Sequence, residues 1–425
     1  MSNTVHTLSE AALKAAAAVS QDRLWRSIEA MAEIGGLGNG GVTRQALTRE
    51  DIEARAMLIG WARALGLEVS IDEAANLFLR RPGQDSAAAP VLAGSHMDSQ
   101  PAGGRFDGIY GVLAAFETMN ALDGAGIVTR RPIDVVAWTN EEGGRFERGC
   151  TGSSVWAGLV PLSAFLDDVG SDGARFADAL AETLAATPDL PRRPPRWPAY
   201  AYVEPHIEQG PVLEKQGLDI AAVTGIQGVR WMRVEIAGVA GHAGTTPAAL
   251  RRDALQAAVR AITWLNGLME DPRDLTRFTV GRLLVEPNSP NTIPSKVTFT
   301  IDFRHPDAAE LKRRGSAIER VIHEAVKPCT ATVVTTSEMS PTPFEGPIPS
   351  LIETAATALG LKVARLASGA FHDALYAAAV CPAGMLFIPC RNGVSHSPEE
   401  YSTPAQCVAG ARVLAASVVE LANRA

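Results

Sequence analysis

Two short apolar runs, Val91 to Ser95 and Ile133 to Trp138, stand on either side of a long apolar stretch from Gly108 to about Leu122. A short apolar run bounded by loops suits a buried strand, and a long one suits a helix. Strand, helix and strand in that order close into a right-handed parallel unit, so both strands end at the same edge of one sheet. Each end carries polar groups. His96 and Asp98 follow the first strand, and the glycine-broken loop Gly103-Gly104-Arg105-Phe106 delivers Asp107 to the start of the helix, whose dipole favours a charged carboxylate. Glu141 and Glu142 follow the second strand. Open α/β folds bind ligands at this carboxyl edge.

The flanking segments extend the same pattern. Ser9 to about Met31 is alanine-rich with helical apolar spacing and predicts one helix. Glu33 to Thr43 holds five glycines and predicts a loop; no GK[ST] follows and no strand precedes it, which excludes a phosphate cradle. Thr48 caps a helix that runs to about Leu65 and stops at Gly66. Leu67 to Ile71 and Asn76 to Arg80 read as strands, and Pro188 to Pro198 as a stiff surface loop. Tyr200 to Val203 is a third apolar strand, ending at Glu204-Pro205-His206.

From Gly228 to about Ser340 the order changes to strand, helix, two strands, helix, strand. That is a self-sufficient two-layer βαββαβ sandwich inserted in a larger α/β domain. The expected division is 1–225 and 341–425 for the larger domain and 226–340 for the insert, with turns at Gly225 and Pro341-Thr342-Pro343 as hinges. The α/β pattern resumes through Leu351 to Leu359, Lys362 to Leu366, Asp373 to Ala379 and Met385 to Ile388. His396 follows the last of these strands, and a helix runs from Pro404 to about Leu421.

A net charge of −8 over 425 residues argues against nucleic acid or an anionic membrane as partner. No apolar run reaches the roughly 20 uninterrupted residues of a membrane span. Five cysteines without a CxxC pair suit a reducing compartment. Glu10, Lys14 and Asp22 interrupt the N-terminal alanines, unlike a signal peptide. Cytoplasm is therefore the expected location.

Four loops thus offer histidine nitrogen or carboxylate oxygen: His96 with Asp107, Glu141-Glu142, His206 and His396. Divalent ions take such ligands without cysteine. A two-ion site needs one bridging carboxylate and one unligated acid for proton transfer. Adjacent glutamates can divide those tasks, although most Glu-Glu pairs are solvated acidic turns.

Gly94 to Pro101, Gly103 to Gly108, Thr139 to Gly143, Pro205 to Gly210, Gly241 to Pro247 and Ser395 to Tyr401 resemble the hydantoinase/carbamoylase family of amidases. That family lies within the di-metal aminoacylase and metallopeptidase superfamily. The resemblance spans nearly the whole chain, in the family's order. It implies a di-metal catalytic domain with a mixed central sheet flanked by helices, and an inserted lid or dimerisation domain. His96, Asp107 and His206 would hold one divalent ion and Asp107, Glu142 and His396 the other, with Asp107 bridging; zinc, manganese, cobalt or nickel would fit. Glu141 would be the general base and Asp98 would orient the His96 ring. Peptidases of the superfamily usually place a carboxylate at the position of His206, so the histidine points to ureido substrates. Arg304 and Asn291 would grip a substrate carboxylate, His242 would polarise the ureido carbonyl or stabilise the tetrahedral oxyanion, and Gln209 would hydrogen-bond the same molecule. In the family the insert residues reach the neighbouring subunit's site, which implies a homodimer.

The implied reaction is hydrolysis of an N-carbamoyl-L-amino acid to the amino acid, carbon dioxide and ammonia. Allantoate and N-carbamoyl-β-alanine are alternative substrates. A plain amide, as in an aminoacylase or dipeptidase, is a more distant alternative, and a metal-binding scaffold without activity more distant still. Phe371 stands where the family usually has glycine before His372-Asp373; in a loop that lines the pocket, its ring would narrow the pocket or add apolar contact. His6 is expected in a frayed terminus, His323 on a solvated helix face and His305 in a turn cap.

Overall fold

A computed structural model describes residues 7–424; His6 lies outside them. The chain forms two compact units, one from 7–224 with 344–424 and one from 225–343.

The first unit opens with α1 (Glu10–Ala18) and α2 (Gln21–Glu33). These are two helices where one was expected. The chain turns extended at Val19 and Ser20, and the Ser20 hydroxyl caps the second helix by accepting from the Arg23 N–H. Next come α3 (Arg49–Ala64), β1 (Glu68–Ile71), β2 (Leu77–Arg81), β3 (Val91–His96), α4 (Ile109–Gly124) and β4 (Ile133–Trp138). Then follow α5 (Thr151–Trp156), α6 (Phe176–Ala185), β5 (Ala201–Ile207), α7 (Val212–Gln216) and β6 (Ile220–Ile226).

The second unit comprises β7 (Gly228–Ala237), β8 (Gly241–His242), α8 (Ala254–Met269), β9 (Arg277–Glu286), β10 (Thr292–Ile293), β11 (Lys296–His305), α9 (Ala308–Ala325), β12 (Thr330–Met339) and β13 (Thr342–Pro343). Its main sheet is antiparallel in the order β12-β7-β11-β9. Burial alternates strictly along β11, as in a sheet covered on one face. Helices α8 and α9 cover that face over a core that includes Val234, Phe299, Phe303 and Ile318. Helix α8 begins at Ala254 because Asp253 supplies the cap by accepting from Leu255 and Gln256 N–H. The expected hinge turns are instead a pair of strands: Pro343 lies opposite Gly225 and Thr342 opposite Ile226. A Cβ on Gly225 would stand 2.6 Å from the Thr342 carbonyl oxygen, so the pairing requires glycine there.

The chain returns through α10 (Ile348–Ala358), β14 (Val363–Ser368), α11 (Ala374–Ala377), β15 (Ala383–Ile388) and α12 (Pro404–Asn423). The large sheet runs β1-β2-β4-β3-β5-β15-β6, with β14 also beside β6. Strands β4, β3, β5 and β15 are mutually parallel, while β1, β2 and β6 pair antiparallel to their neighbours. Every residue of those four parallel strands is buried, so they read as mainly apolar runs, interrupted by Asp134 in β4 and by Ser95, His96, Glu204 and His206 toward the ends of β3 and β5. Helix α12 is long and apolar enough to cross a membrane, yet 72% of that stretch is buried inside the fold, against α1, α4 and α10. Its start is fixed by Thr403 and Gln406 in a reciprocal capping box, with Pro404 at the first turn.

His96 closes β3, Glu141 and Glu142 follow β4, His206 sits near the end of β5, and His396 lies in the loop after β15. All four parallel strands therefore deliver their polar groups to a single edge.

Candidate metal centre

At that edge Asp107 stands between three imidazoles. Its Oδ1 is 3.1 Å from His206 Nε2 and 3.8 Å from His96 Nε2, and its Oδ2 is 3.3 Å from His396 Nε2. Glu142 Oε2 lies 3.4 Å from the same His396 nitrogen. Two ligand groups result, His96 with Asp107 and His206, and Asp107 with Glu142 and His396, the ligand atoms of each lying within 4.8 Å of one another. Asp107 belongs to both. Glu141 belongs to neither, although its Oε2 approaches His96 Nε2 to 3.5 Å. The first group is wholly buried and the second opens toward solvent at His396.

Backbone groups fix these side chains. The Nδ1 nitrogens of His96 and His206 each lie 2.9 Å from a carbonyl oxygen, of Asp98 and Ile207 respectively. With Nδ1–H donating there, Nε2 is the unprotonated atom turned to the ligand group, the usual arrangement around a metal-binding histidine, and that of His206 also accepts from the Gly108 N–H at 3.2 Å. Gly108 adopts φ 63, and a Cβ there would come within 2.2 Å of the His96 ring. Three non-glycine residues at this edge also hold left-handed backbone: Asn140 (φ 54), Gln209 (φ 55) and His396 (φ 54). Such conformations concentrate at functional sites.

The Asp98 carboxylate differs from its expected task. The carbonyl of Asp98, not its carboxylate, receives the His96 ring, and the carboxylate Oδ1 stays 3.7 Å from Nδ1. The carboxylate accepts instead from the backbone N–H groups of Glu141 and Glu142, at 3.2 Å each, and so sets the acidic pair. Gln209 likewise donates its amide to Asp107 Oδ2 at 3.0 Å rather than standing clear of the ligand groups.

Sequence reasoning gave no role to three further residues. Gln100 binds Glu142 through its backbone N–H (3.2 Å) and its amide (3.0 Å to Oε2). Glu204 accepts from Ser95 Oγ at 2.7 Å and from the Ala374 N–H at 2.8 Å, tying β3 to the start of α11. Glu400 accepts from the N–H groups of Phe106 and Asp107 at 2.9 and 3.0 Å. The signal was present for Gln100 and Glu400, each inside a stretch that resembles the family. Phe371 leads into His372, whose buried ring packs edge-on against His206 with centroids 4.5 Å apart.

The electrostatics favour cations. Asp98, Asp107, Glu141 and Glu142 crowd one buried edge, and among the described residues no lysine or arginine forms an ion pair with any of them. Burial, followed by the charges of Asp373 and Glu142, drives Glu141 well above the usual carboxylate range. Burial and the charge of Asp107 push Glu142 up to about 8. Burial opposes protonation of His206, but its hydrogen bond to Asp107 and that carboxylate's charge bring it up to about 9. The hydrogen bond to Asp107 brings His396 to about 9 as well, with help from Glu142. Without cations the cluster thus retains protons it would shed to divalent ions, and the donor set of imidazole nitrogen and carboxylate oxygen fits such ions. Two cavities of the first unit, about 190 Å³ beside Arg55 and Leu190 and about 390 Å³ beside Trp61 and Phe116, contain none of these residues.

The other expected substrate residues lie in the second unit. His242 and Asn291 come together on the β8–β10 ribbon, where Thr292 pairs with His242 and the Ala243 N–H donates to the Asn291 carbonyl at 3.0 Å. Arg304 lies on β11 and forks onto the Asp302 carboxylate at 2.9 and 2.8 Å. His305 accepts the Asp307 N–H in a turn, and His323 is exposed on α9, both as expected.

Fold and site together define a hydrolase with a two-group histidine–carboxylate centre at the end of a mixed sheet. The chain belongs to the family described as Peptidase family M20/M25/M40, which it matches over residues 92–420, and within it to the hydantoinase/carbamoylase amidases. It is 40% identical to an N-carbamoyl-L-amino acid amidohydrolase of Geobacillus stearothermophilus over 95% of this chain and 99% of that one. It is 35% identical to a ureidoglycolate hydrolase of Oryza sativa (95% and 85%) and 33% identical to an allantoate amidohydrolase of Bacillus subtilis (93% and 96%). The crystal structure of a hydantoinase/carbamoylase family amidase from Burkholderia multivorans superposes with a TM-score of 0.91 at 40% identity, covering 96% of this chain and 98% of that one. The chain is accordingly an amidohydrolase of a metal-dependent family, acting on carbon–nitrogen bonds other than peptide bonds.

Proposed function

We propose that the enzyme hydrolyses the ureido group of an N-carbamoyl-L-amino acid, consuming one water and releasing the amino acid, carbon dioxide and ammonia. The observation that carries this reading is Asp107 shared by two ligand groups, one of them completed by His206, with Glu141 beside both and in neither. The relatives similar over nearly the whole chain include several named for ureido compounds.

His96, Asp107 and His206 would hold one divalent ion and Asp107, Glu142 and His396 the second; zinc, manganese, cobalt and nickel suit these donors. When bound, such ions polarise a carbonyl oxygen and lower the pKa of water. Glu141 takes the proton of the attacking water on its carboxylate and returns it to the departing nitrogen. Its isolation from positive side chains makes it a competent base once cations balance its acidic neighbours. Asp98 holds the backbone of Glu141 and Glu142 so that the two acids keep different tasks. Gln209 contacts the substrate after release from Asp107. Arg304 and Asn291 grip the substrate carboxylate, the former as a bidentate fork, and His242 stabilises the developing oxyanion. A homodimer, with 226–340 as its lid and dimerisation domain, supplies these three residues to the partner's site. Five buried free thiols accord with a cytoplasmic setting.

The test is a substrate panel on metal-loaded protein: N-carbamoyl-L-amino acids, N-carbamoyl-β-alanine, allantoate, ureidoglycolate, an N-acetyl amino acid and a dipeptide. Preferential release of ammonia from N-carbamoyl-L-amino acids supports the reading. Preference for the N-acetyl compound or dipeptide would replace it with an aminoacylase or dipeptidase.

A further inference from the structure

Asp107 carries both ligand groups, so whatever fixes its loop controls the whole centre. Its peptide is held from the far end of the chain. Glu400 is only 2% exposed, and its Oε1 accepts from the backbone N–H of Phe106 at 2.9 Å and of Asp107 at 3.0 Å, across 293 positions of sequence in the second case. Its Oε2 accepts from Ser395 Oγ at 2.9 Å, and that hydroxyl also lies 2.8 Å from Asp107 Oδ2. His396 sits between Ser395 and Glu400, and the Glu400 N–H closes the loop on the Ser397 carbonyl at 3.0 Å. One carboxylate therefore joins the loop bearing Asp107 to the loop bearing His396. Space has been kept for it: a Cβ on Gly104 would stand 2.1 Å from the Glu400 carboxylate. The neighbouring rings seal the contact, Phe106 meeting Tyr401 edge-on with centroids 5.8 Å apart.

We infer that Glu400 is the positioning residue of the metal centre, setting Asp107 against His396 by accepting from the peptide that carries Asp107. It touches neither substrate nor reacting atoms. The inference rests on the two-ion reading above and adds a residue to it. Acceptance, rather than charge, is what the geometry requires. Glu400→Gln keeps a carbonyl oxygen for both N–H groups and an amide to donate to Ser395. Glu400→Ala removes the acceptor and leaves two buried N–H groups without a partner. Glu400→Asp keeps the charge but withdraws it by one methylene.

The experiment is competitive zinc titration of chelator-stripped protein against a chromophoric chelator. Outer partners of metal ligands contribute roughly 10–100-fold in affinity. Glu400→Ala should therefore weaken the more weakly held ion by about 10–100-fold, and Glu400→Asp likewise, whereas Glu400→Gln stays within about threefold of wild type. If Glu400→Ala does not fold, the contrast between Glu400→Asp and Glu400→Gln decides the matter. Wild-type affinity in Glu400→Ala or Glu400→Asp overturns the inference, as does a Glu400→Gln variant as weak as Glu400→Ala. Wild-type protein that takes up fewer than two ions would instead overturn the two-ion reading, and this inference with it.

Discussion

Gly108→Ala is the smallest change that should break the metal centre. The added methyl would sit 2.2 to 2.4 Å from three atoms of the His96 ring. Ordinary carbon contacts begin near 3.5 Å, so the ring must retreat by more than about 1 Å. It has little room, because its Nδ1 is tied to the Asp98 carbonyl at 2.9 Å and the residue is buried. Alanine must also adopt φ 63 and ψ −56, outside the left-handed helical region, at a cost of about 1–3 kcal/mol. The displaced Nε2 then leaves the group it forms with Asp107 and His206. Losing a ligand costs at least as much as losing an outer partner, so affinity for one ion should fall by 10–100-fold or more, equivalent to about 1.4–2.7 kcal/mol. Zinc titration of stripped protein measures this, and circular dichroism checks the fold. A folded Gly108→Ala variant that binds both ions like wild type would refute the reasoning.

Glu141→Gln should keep the metal content of wild type while kcat falls by about 10²–10⁴-fold, read by metal analysis and ammonia release together; undiminished turnover would remove Glu141 from the base role. In the metal-free protein, His206 and His396 are raised to about 9 and Glu142 to about 8, so each binds its proton more tightly folded than unfolded. Their contribution to stability is therefore present below their unfolded values and lost as pH rises toward 9. The melting temperature of stripped protein should fall between pH 6.5 and 9, while zinc affinity rises over the same window as the ion displaces protons, which calorimetry in two buffers would register. Arg55→Ala leaves Asp51 wholly buried without its 2.9 Å ion pair and removes a hydrogen bond to Thr139; urea unfolding should report a loss of about 3–5 kcal/mol.

The ligand-bearing strand ends were legible because buried parallel strands are continuous apolar runs and their ligands follow within a few residues. That is why the loops bearing Asp107 and Glu141-Glu142 could be brought to one edge from the sequence, while the choice of Glu142 as the ligand came from the resemblance. Strand β5 was legible only in part. Pro205 argues against a central strand, but the ladder with β3 ends at Val203 and Pro205 pairs through β15 alone. Strand β6, Ile220–Ile226, went unseen because it is squeezed between one-turn α7 and the turn expected at Gly225. The break at Val19 and Ser20 was hidden by alanine, which suits a helix wherever it stands. The Asp98 carboxylate was assigned to the nearest imidazole in sequence, whereas the fold turns it to the backbone of Glu141 and Glu142. Glu400 stood inside a stretch that resembles the family, but its partners Phe106, Asp107 and Ser395 are set by tertiary approach, so its task was not legible there.

The account turns on one assay, ammonia and amino-acid release from an N-carbamoyl-L-amino acid by protein first stripped of metal and then titrated with zinc or manganese. It predicts no turnover in stripped protein, activity restored as two equivalents are bound, and equimolar ammonia and free amino acid. Activity that is indifferent to stripping, or saturation at a single equivalent, would contradict a centre in which Asp107 serves two ions.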